Sequence, residues 1–141
     1  MQEILDLIRR QEVCVLATVA KTTPHCSFMA YISDEDCRNI YMVTHTDTKK
    51  YANMSANPAV SLLIDSRLWN ETTARNEIRA LTVKGKSEEI RDEDQVETLR
   101  KRFINRHVHL KEFAEDDKAV VFAVVVESFQ LQRGADDGVY E

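Results

Sequence analysis

Apolar, β-branched runs of strand length recur along this sequence, each closed by a polar turn, and they constrain the fold more than any other feature. Val13–Val19, Ile40–Thr44, Ala59–Asp65, Ile78–Ile90 and Ala119–Gln132 are such runs, and His25–Ser33 continues as another after a turn at Ala20–Thr23 and Pro24. Six strands with short connections predict a mainly β fold, an antiparallel barrel decorated by helices. Helices are expected where the period changes. Ile4, Leu5, Leu7 and Ile8 have helical spacing, with acids early and Arg9 and Arg10 late. Thr48–Ala56 reads as a short helix closed by Asn57 and Pro58. Asp92–Asn105 places Val96, Leu99 and Phe103 on one face behind a capping Asp92. Gly85 marks a bulge or a close backbone approach inside its strand.

The 141 residues suit one domain, with no linker or repeat to divide them. The net charge of −5, from 19 basic and 24 acidic side chains, gives no reason to expect nucleic acid or an anionic membrane as partner. An anionic ligand must then be held by a local basic cluster. No apolar run approaches the ~20 residues that span a bilayer, and Met1–Arg10 alternates apolar and charged residues, unlike a signal peptide. Cys14, Cys26 and Cys37 are odd in number without CxxC spacing, so they read as reduced thiols of a cytoplasmic protein. Cys37 falls in a turn and reads as a surface thiol. With three glycines in all, there is no GxGxxG loop for a dinucleotide.

Chemistry concentrates in Val43–Lys50, where an apolar strand ends and a helix begins. Thr44, Thr46, Thr48, Lys49 and Lys50 crowd hydroxyls and positive charge at a helix N-terminus, which suits a phosphate monoester. An ordinary N-cap at Thr46, Asp47 or Thr48 followed by solvated lysines fits the same residues. In the second strand, His25, Ser27, Met29 and Tyr31 share one side and Cys26, Phe28 and Ala30 the other. Such a strand can offer main-chain donors and acceptors to a flat heterocycle, or simply pack in a core. The long polar stretch Ser66–Asn76 carries Arg67, Trp69 and Asn70, residue types found at interfaces and over flat ligands. His107 and His109 have no nearby acid or thiol at metal-ligand spacing, and read as cations near a helix C-terminus. No nucleophile triad can be argued from spacing.

Val15–Thr18, Pro24 with His25, the strand ending at Tyr31, Ile40–Thr44, Lys49 with Lys50, Asn57–Leu62 and Leu81–Gly85 occur in an order that resembles the pyridoxamine 5'-phosphate oxidase-like split-barrel family. The resemblance spans residues 1 to about 130. It implies a six-stranded antiparallel split β-barrel that dimerises and binds flavin mononucleotide (FMN) at the subunit interface. Lys49 and Lys50 match the pair that holds the FMN phosphate, and Thr46 and Thr48 fall where family loops supply hydroxyls. Val43 and Thr44 match the strand end that lines the flavin. Cys26, Ser27, Phe28, Met29, Ala30 and Tyr31 match the strand whose backbone runs along its ring. No family motif fixes Arg67, Trp69 and Asn70, but their loop is placed to reach the site completed by the partner subunit.

Two departures narrow the expectation. The true oxidase has a basic residue at each end of its second strand, where this chain has Cys26 and Tyr31. The segment that recognises pyridoxal has no counterpart after Gln132. Vitamin B6 oxidation is therefore not expected. The implied function is a flavin-dependent oxidoreductase or reductase working with a small-molecule electron donor or acceptor. The alternatives are a non-catalytic flavin carrier or redox sensor, a deazaflavin-dependent relative, and a haem-binding split barrel using His25, His45, His107 or His109.

Overall fold

The computed structural model describes residues 1–67, 78–134 and the backbone of 137–140. A helix α1 (Gln2–Arg10) precedes a hairpin of β1 (Val13–Ala20) and β2 (Thr23–Ala30), then a short β3 (Ile32–Ser33) and β4 (Asn39–His45). Helix α2 (Lys49–Ala56) leads to β5 (Ala59–Asp65) and β6 (Arg79–Glu89). Then come α3 (Glu93–Arg106), a 3-10 turn at Val108–Leu110, α4 (Lys111–Glu115), the long β7 (Ala119–Arg133) and β8 (Asp137–Tyr140). The expected second strand is thus split into β2 and β3, and β8 is added. Pro24 lies inside β2 rather than in the turn before it. Among the described residues β2 pairs with β1 alone, and an edge strand tolerates proline on its unpaired side.

The strands form one antiparallel sheet in the order β2-β1-β5-β6-β7-β4-β3, with β8 on the C-terminal part of β7. The two ends of that order, β2 and β3, are separated in the chain by Tyr31 alone. The chain leaves β1 as partner at Ala30 and takes β4 as partner at Ile32. That exchange brings the two edges of the sheet together and leaves a split between β2 and β4, the form expected of a split barrel. Tyr31 is buried, its N–H donates to the Glu12 carbonyl at 3.1 Å, and its hydroxyl donates to the Ile8 carbonyl at 2.6 Å.

Alternation puts Cys14 and Leu16 of β1, Leu62 and Ile64 of β5, and Leu81 and Val83 of β6 inside, each at most 1% exposed. Each such aliphatic side chain stabilises by roughly 1.5–3 kcal/mol, an upper estimate against an extended reference. Ile4, Leu7 and Ile8 of α1 join this interior, as their spacing predicts. Glu3 ties that helix to the sheet through Arg133 at 2.7 Å and Arg79 at 3.3 Å. At the other end of β6, Met54 of α2 enters the interior, and buried Asn53 donates to buried Thr18 at 3.1 Å. On the outside, Ile32, Val43 and Val121 pack against Leu99 and Phe103 of α3. Asp92 caps α3 as expected, accepting from the Gln95 N–H at 2.9 Å.

The bulge expected at Gly85 lies in the register shift between Lys84 and Gly85 opposite β7. A Cβ at Gly85 would sit 2.3 Å from the Val125 carbonyl oxygen, so the side-chain-free residue is what lets the two strands approach. Cys37 corrects its expectation. Its turn folds inward, the residue is 0% exposed with φ of 57°, and the thiol reaches Ser33 Oγ at 4.0 Å. Burial pushes its pKa up and that of Cys14 up to about 12, whereas the Cys26 thiol is exposed.

Candidate functional site

Thr44, at the end of β4, and Thr48, the N-cap of α2, are locked together. Thr48 Oγ1 donates to the His45 carbonyl at 2.8 Å and accepts from the Tyr51 N–H at 3.3 Å. Its one proton is thereby used, so the 3.2 Å contact between the two hydroxyls has Thr44 as donor. The intervening residues are pinned from outside. The His45 ring stacks on Phe113 with centroids 4.2 Å apart, and its Nε2 donates to the Phe113 carbonyl at 2.9 Å. The Thr46 N–H donates to the Lys118 carbonyl at 3.0 Å, and Asp47 pairs with the Lys118 ammonium at 3.0 Å. Hydrogen bonding to Lys118 holds the Asp47 carboxyl below the usual range.

With Asp47 drawn to Lys118, the first turn of α2 holds no acid. Lys49 is exposed, Lys50 is half-buried, and neither makes an ion pair or hydrogen bond among the described residues. Two uncompensated cations thus stand where the helix dipole is already positive, the arrangement that favours an anion. Main-chain groups lie close by. Among the described residues β2 pairs only with β1, and the part of β4 from Met42 to His45 pairs only with β7. β2 and β4 approach each other across the split. A strand edge of this kind carries unpaired N–H and C=O groups that a flat heterocycle can engage.

The expected site residues separate into groups. Thr44, Thr46, Thr48, Lys49 and Lys50 gather at one turn. Cys26 and Phe28 face outward, Phe28 at 65% exposure, while Met29 on the opposite face is buried and Ser27 and Ala30 are half-buried. The alternation read from the sequence is the one observed. Val43 is buried against the α3 layer, so only its main chain is at hand. Tyr31 stands apart: its side chain, N–H and carbonyl are all engaged internally. Arg67 is half of a fork on Asp65, at 2.8 Å from a carboxylate that is 6% exposed as a residue. Trp69 and Asn70 lie outside the described residues. Phe113 and Lys118, which pin the cluster, escaped sequence reading because they reach it only through the pairing of β4 with β7.

The histidines are unequal. His107 is buried and donates through Nε2 to the Tyr31 carbonyl at 2.8 Å. Burial lowers its pKa, which disfavours the cation expected at the end of α3. His45 is stacked and bonded as above. His25 is half-buried and His109 exposed. No cluster of three metal-ligating side chains occurs among the described residues.

The sequence profile of pyridoxamine 5'-phosphate oxidase matches residues 1–133. The chain belongs to that family. No curated protein matches it. Among solved structures, a protein of unknown function from Agrobacterium tumefaciens superposes with a TM-score of 0.82 at 17% identity, over 93% of this chain and 55% of its own. The chain thus spans about half the length of that relative. An FAD-binding protein from Mesorhizobium loti gives 0.77 at 20% identity, over 95% of this chain and 94% of its own. A haem storage protein from Vibrio cholerae gives 0.76 at 18%, over 94% and 93%. At these identities the likeness is one of fold, and the pyridoxamine 5'-phosphate oxidase family fold houses both kinds of protein. No helix among the described residues is long and apolar enough to cross a membrane.

Proposed function

We propose that this chain binds FMN in the split between β2 and β4 and works as a flavin-dependent oxidoreductase on a small-molecule donor or acceptor. The observation that carries the reading is the uncompensated pair Lys49 and Lys50 on the first turn of α2, in a chain whose net charge is −5. Two cations at the positive end of a helix are mutually unfavourable, and a phosphate dianion relieves both repulsions. Thr44 and Thr48 hold the turn that presents these charges. The open edge of β2 would take the flat ring, with main-chain groups of Cys26–Ala30 orienting it. When bound, the flavin supplies hydride and electron transfer; the chain supplies position and exclusion of water. The FAD-binding relative supports a flavin in this fold.

The outward face beside β2 supports a homodimer. Phe28 on β2 aligns with Val15 on β1 and Val15 with Leu63 on β5, with Phe28 at 65% and Leu63 at 38% exposure. An apolar row of this kind is suited to a second copy, which would then lie next to the flavin strand. The free cysteines fit a reducing compartment such as the cytoplasm.

The test is an absorbance spectrum of the purified protein followed by FMN titration by fluorescence quenching. Flavin bands, or saturable binding of one FMN per subunit, are expected, with turnover of nicotinamide or quinone-type partners. Absence of both bands and saturable binding refutes the assignment. Binding without turnover would reduce the protein to a flavin carrier.

A further inference from the structure

We propose that the cavity between α2 and the end of β6 receives the adenosine half of FAD, extending the flavin site beyond its phosphate; this rests on the flavin reading above. The cavity has a volume of about 250 Å3. That is below the roughly 300–1,000 Å3 of a site for a whole ligand, so it suits one part of a larger molecule.

Its floor is apolar, made by Phe122 and Met54, which are 3% and 9% exposed. Its rim is polar, with Tyr51 and Ser55 from α2 and Ser87 and Glu89 from β6. Arg91 stands just beyond that strand. Glu89 accepts from the Tyr51 hydroxyl at 2.7 Å and pairs with Arg91 at 3.5 Å. Its side chain lines the cavity at 21% exposure, and a carboxylate has about four acceptor positions, so Tyr51 and Arg91 do not exhaust its capacity to accept. A carboxylate beside an apolar slot is the chemistry that recognises the hydroxyl pair of a ribose next to its base. The Arg91 guanidinium, 78% exposed, can lie over a purine face.

Position links this slot to the phosphate site. Tyr51 directly follows Lys50, and Ser55 lies about 9 Å along the helix axis from Lys49 at 1.5 Å per residue. A second phosphate and a ribose bridge such a distance. A nicotinamide dinucleotide carries the same adenosine diphosphate; FAD is assigned because, on the flavin reading, the phosphate held at Lys49 and Lys50 is the one that joins its flavin half to the adenosine half.

Titration of the full chain with FMN and with FAD decides the matter. FAD is expected to bind at least tenfold more tightly, and AMP to displace FAD without displacing FMN. Glu89→Gln should reduce that preference at least fivefold while leaving FMN affinity within twofold. Ser87→Trp, which fills the slot, should abolish the preference. FMN binding with no FAD preference overturns this inference and leaves the flavin reading intact. If neither flavin binds, the flavin reading falls and takes this one with it. Equal binding of the two flavins, with NADH and AMP competing for one site, would give the slot to a nicotinamide dinucleotide and overturn the assignment to FAD.

Discussion

His107 donates a 2.8 Å hydrogen bond to the carbonyl of Tyr31, a residue 76 positions earlier, and both are almost completely buried. The bond sits where the chain changes partner from β1 to β4. With the Tyr31 N–H on Glu12 and its hydroxyl on Ile8, every polar group of this residue is satisfied by a different part of the fold. The point where the sheet comes full circle is therefore fixed from α1, from the α1–β1 link and from the end of α3.

Stability should depend on the charge of His107. Burial, helped by the positive Arg106, lowers its folded pKa below the ordinary 6.5. As pH falls below about that value, the unfolded chain takes up a proton that the folded chain resists, so stability present at neutral pH is lost on acidification. Urea unfolding between pH 7.5 and 5 should show the decline. His107→Gln, which can still donate to the Tyr31 carbonyl, should flatten that part of the profile. An unchanged slope in the variant would assign the decline to other groups.

Gly85→Ala should destabilise by about 1–3 kcal/mol, the usual result of overpacking. The added Cβ meets a backbone oxygen, which cannot rotate away as a side chain could. Chemical denaturation reads the shift, and a neutral substitution would show that the bulge relaxes.

Replacing Lys49 and Lys50 with Ala should cost roughly 1.5–3 kcal/mol of FMN affinity for each charged hydrogen bond lost. Riboflavin, which lacks the phosphate, should bind wild type and variant alike. Equal losses for both ligands would mean that the lysines serve the ring or the fold.

Leu63→Glu places a charge in the apolar row of Phe28, Val15 and Leu63 without entering the core, because Leu63 is already 38% exposed. Light scattering should report a dimer for the parent chain and a monomer for the variant. A dimer that survives the charge would move the interface elsewhere.

Much of this architecture is legible in the sequence, and the reasons are local. Strand alternation places Met29 inside and Cys26 and Phe28 outside, and helical spacing buries Ile4, Leu7 and Ile8. Thr48 and Asp92 cap their helices as their residue types suggest. What is not legible depends on contacts between distant segments. Nothing near Tyr31 announces a change of partner, because its bonds go to Ile8, Glu12 and His107. Cys37 resembles a surface thiol until its turn is seen to fold inward. The fork of Arg67 on Asp65, two residues earlier, is not announced by the sequence either, and it leaves the Arg67 side chain 58% exposed. At the candidate site the lysines are visible in the sequence. The loss of Asp47 to Lys118, which leaves them uncompensated, is a consequence of the pairing of β4 with β7.

The edge of β2 that pairs with no strand among the described residues has a bearing on how the protein behaves in solution. An unprotected strand edge is a template for any other extended chain, and Pro24 near its start interrupts that template at one position only. On the proposed function, a ligand bound in the split would therefore also guard against aggregation. A preparation stripped of ligand should be the one that precipitates on concentration or storage, and its shelf life becomes a simple report on occupancy.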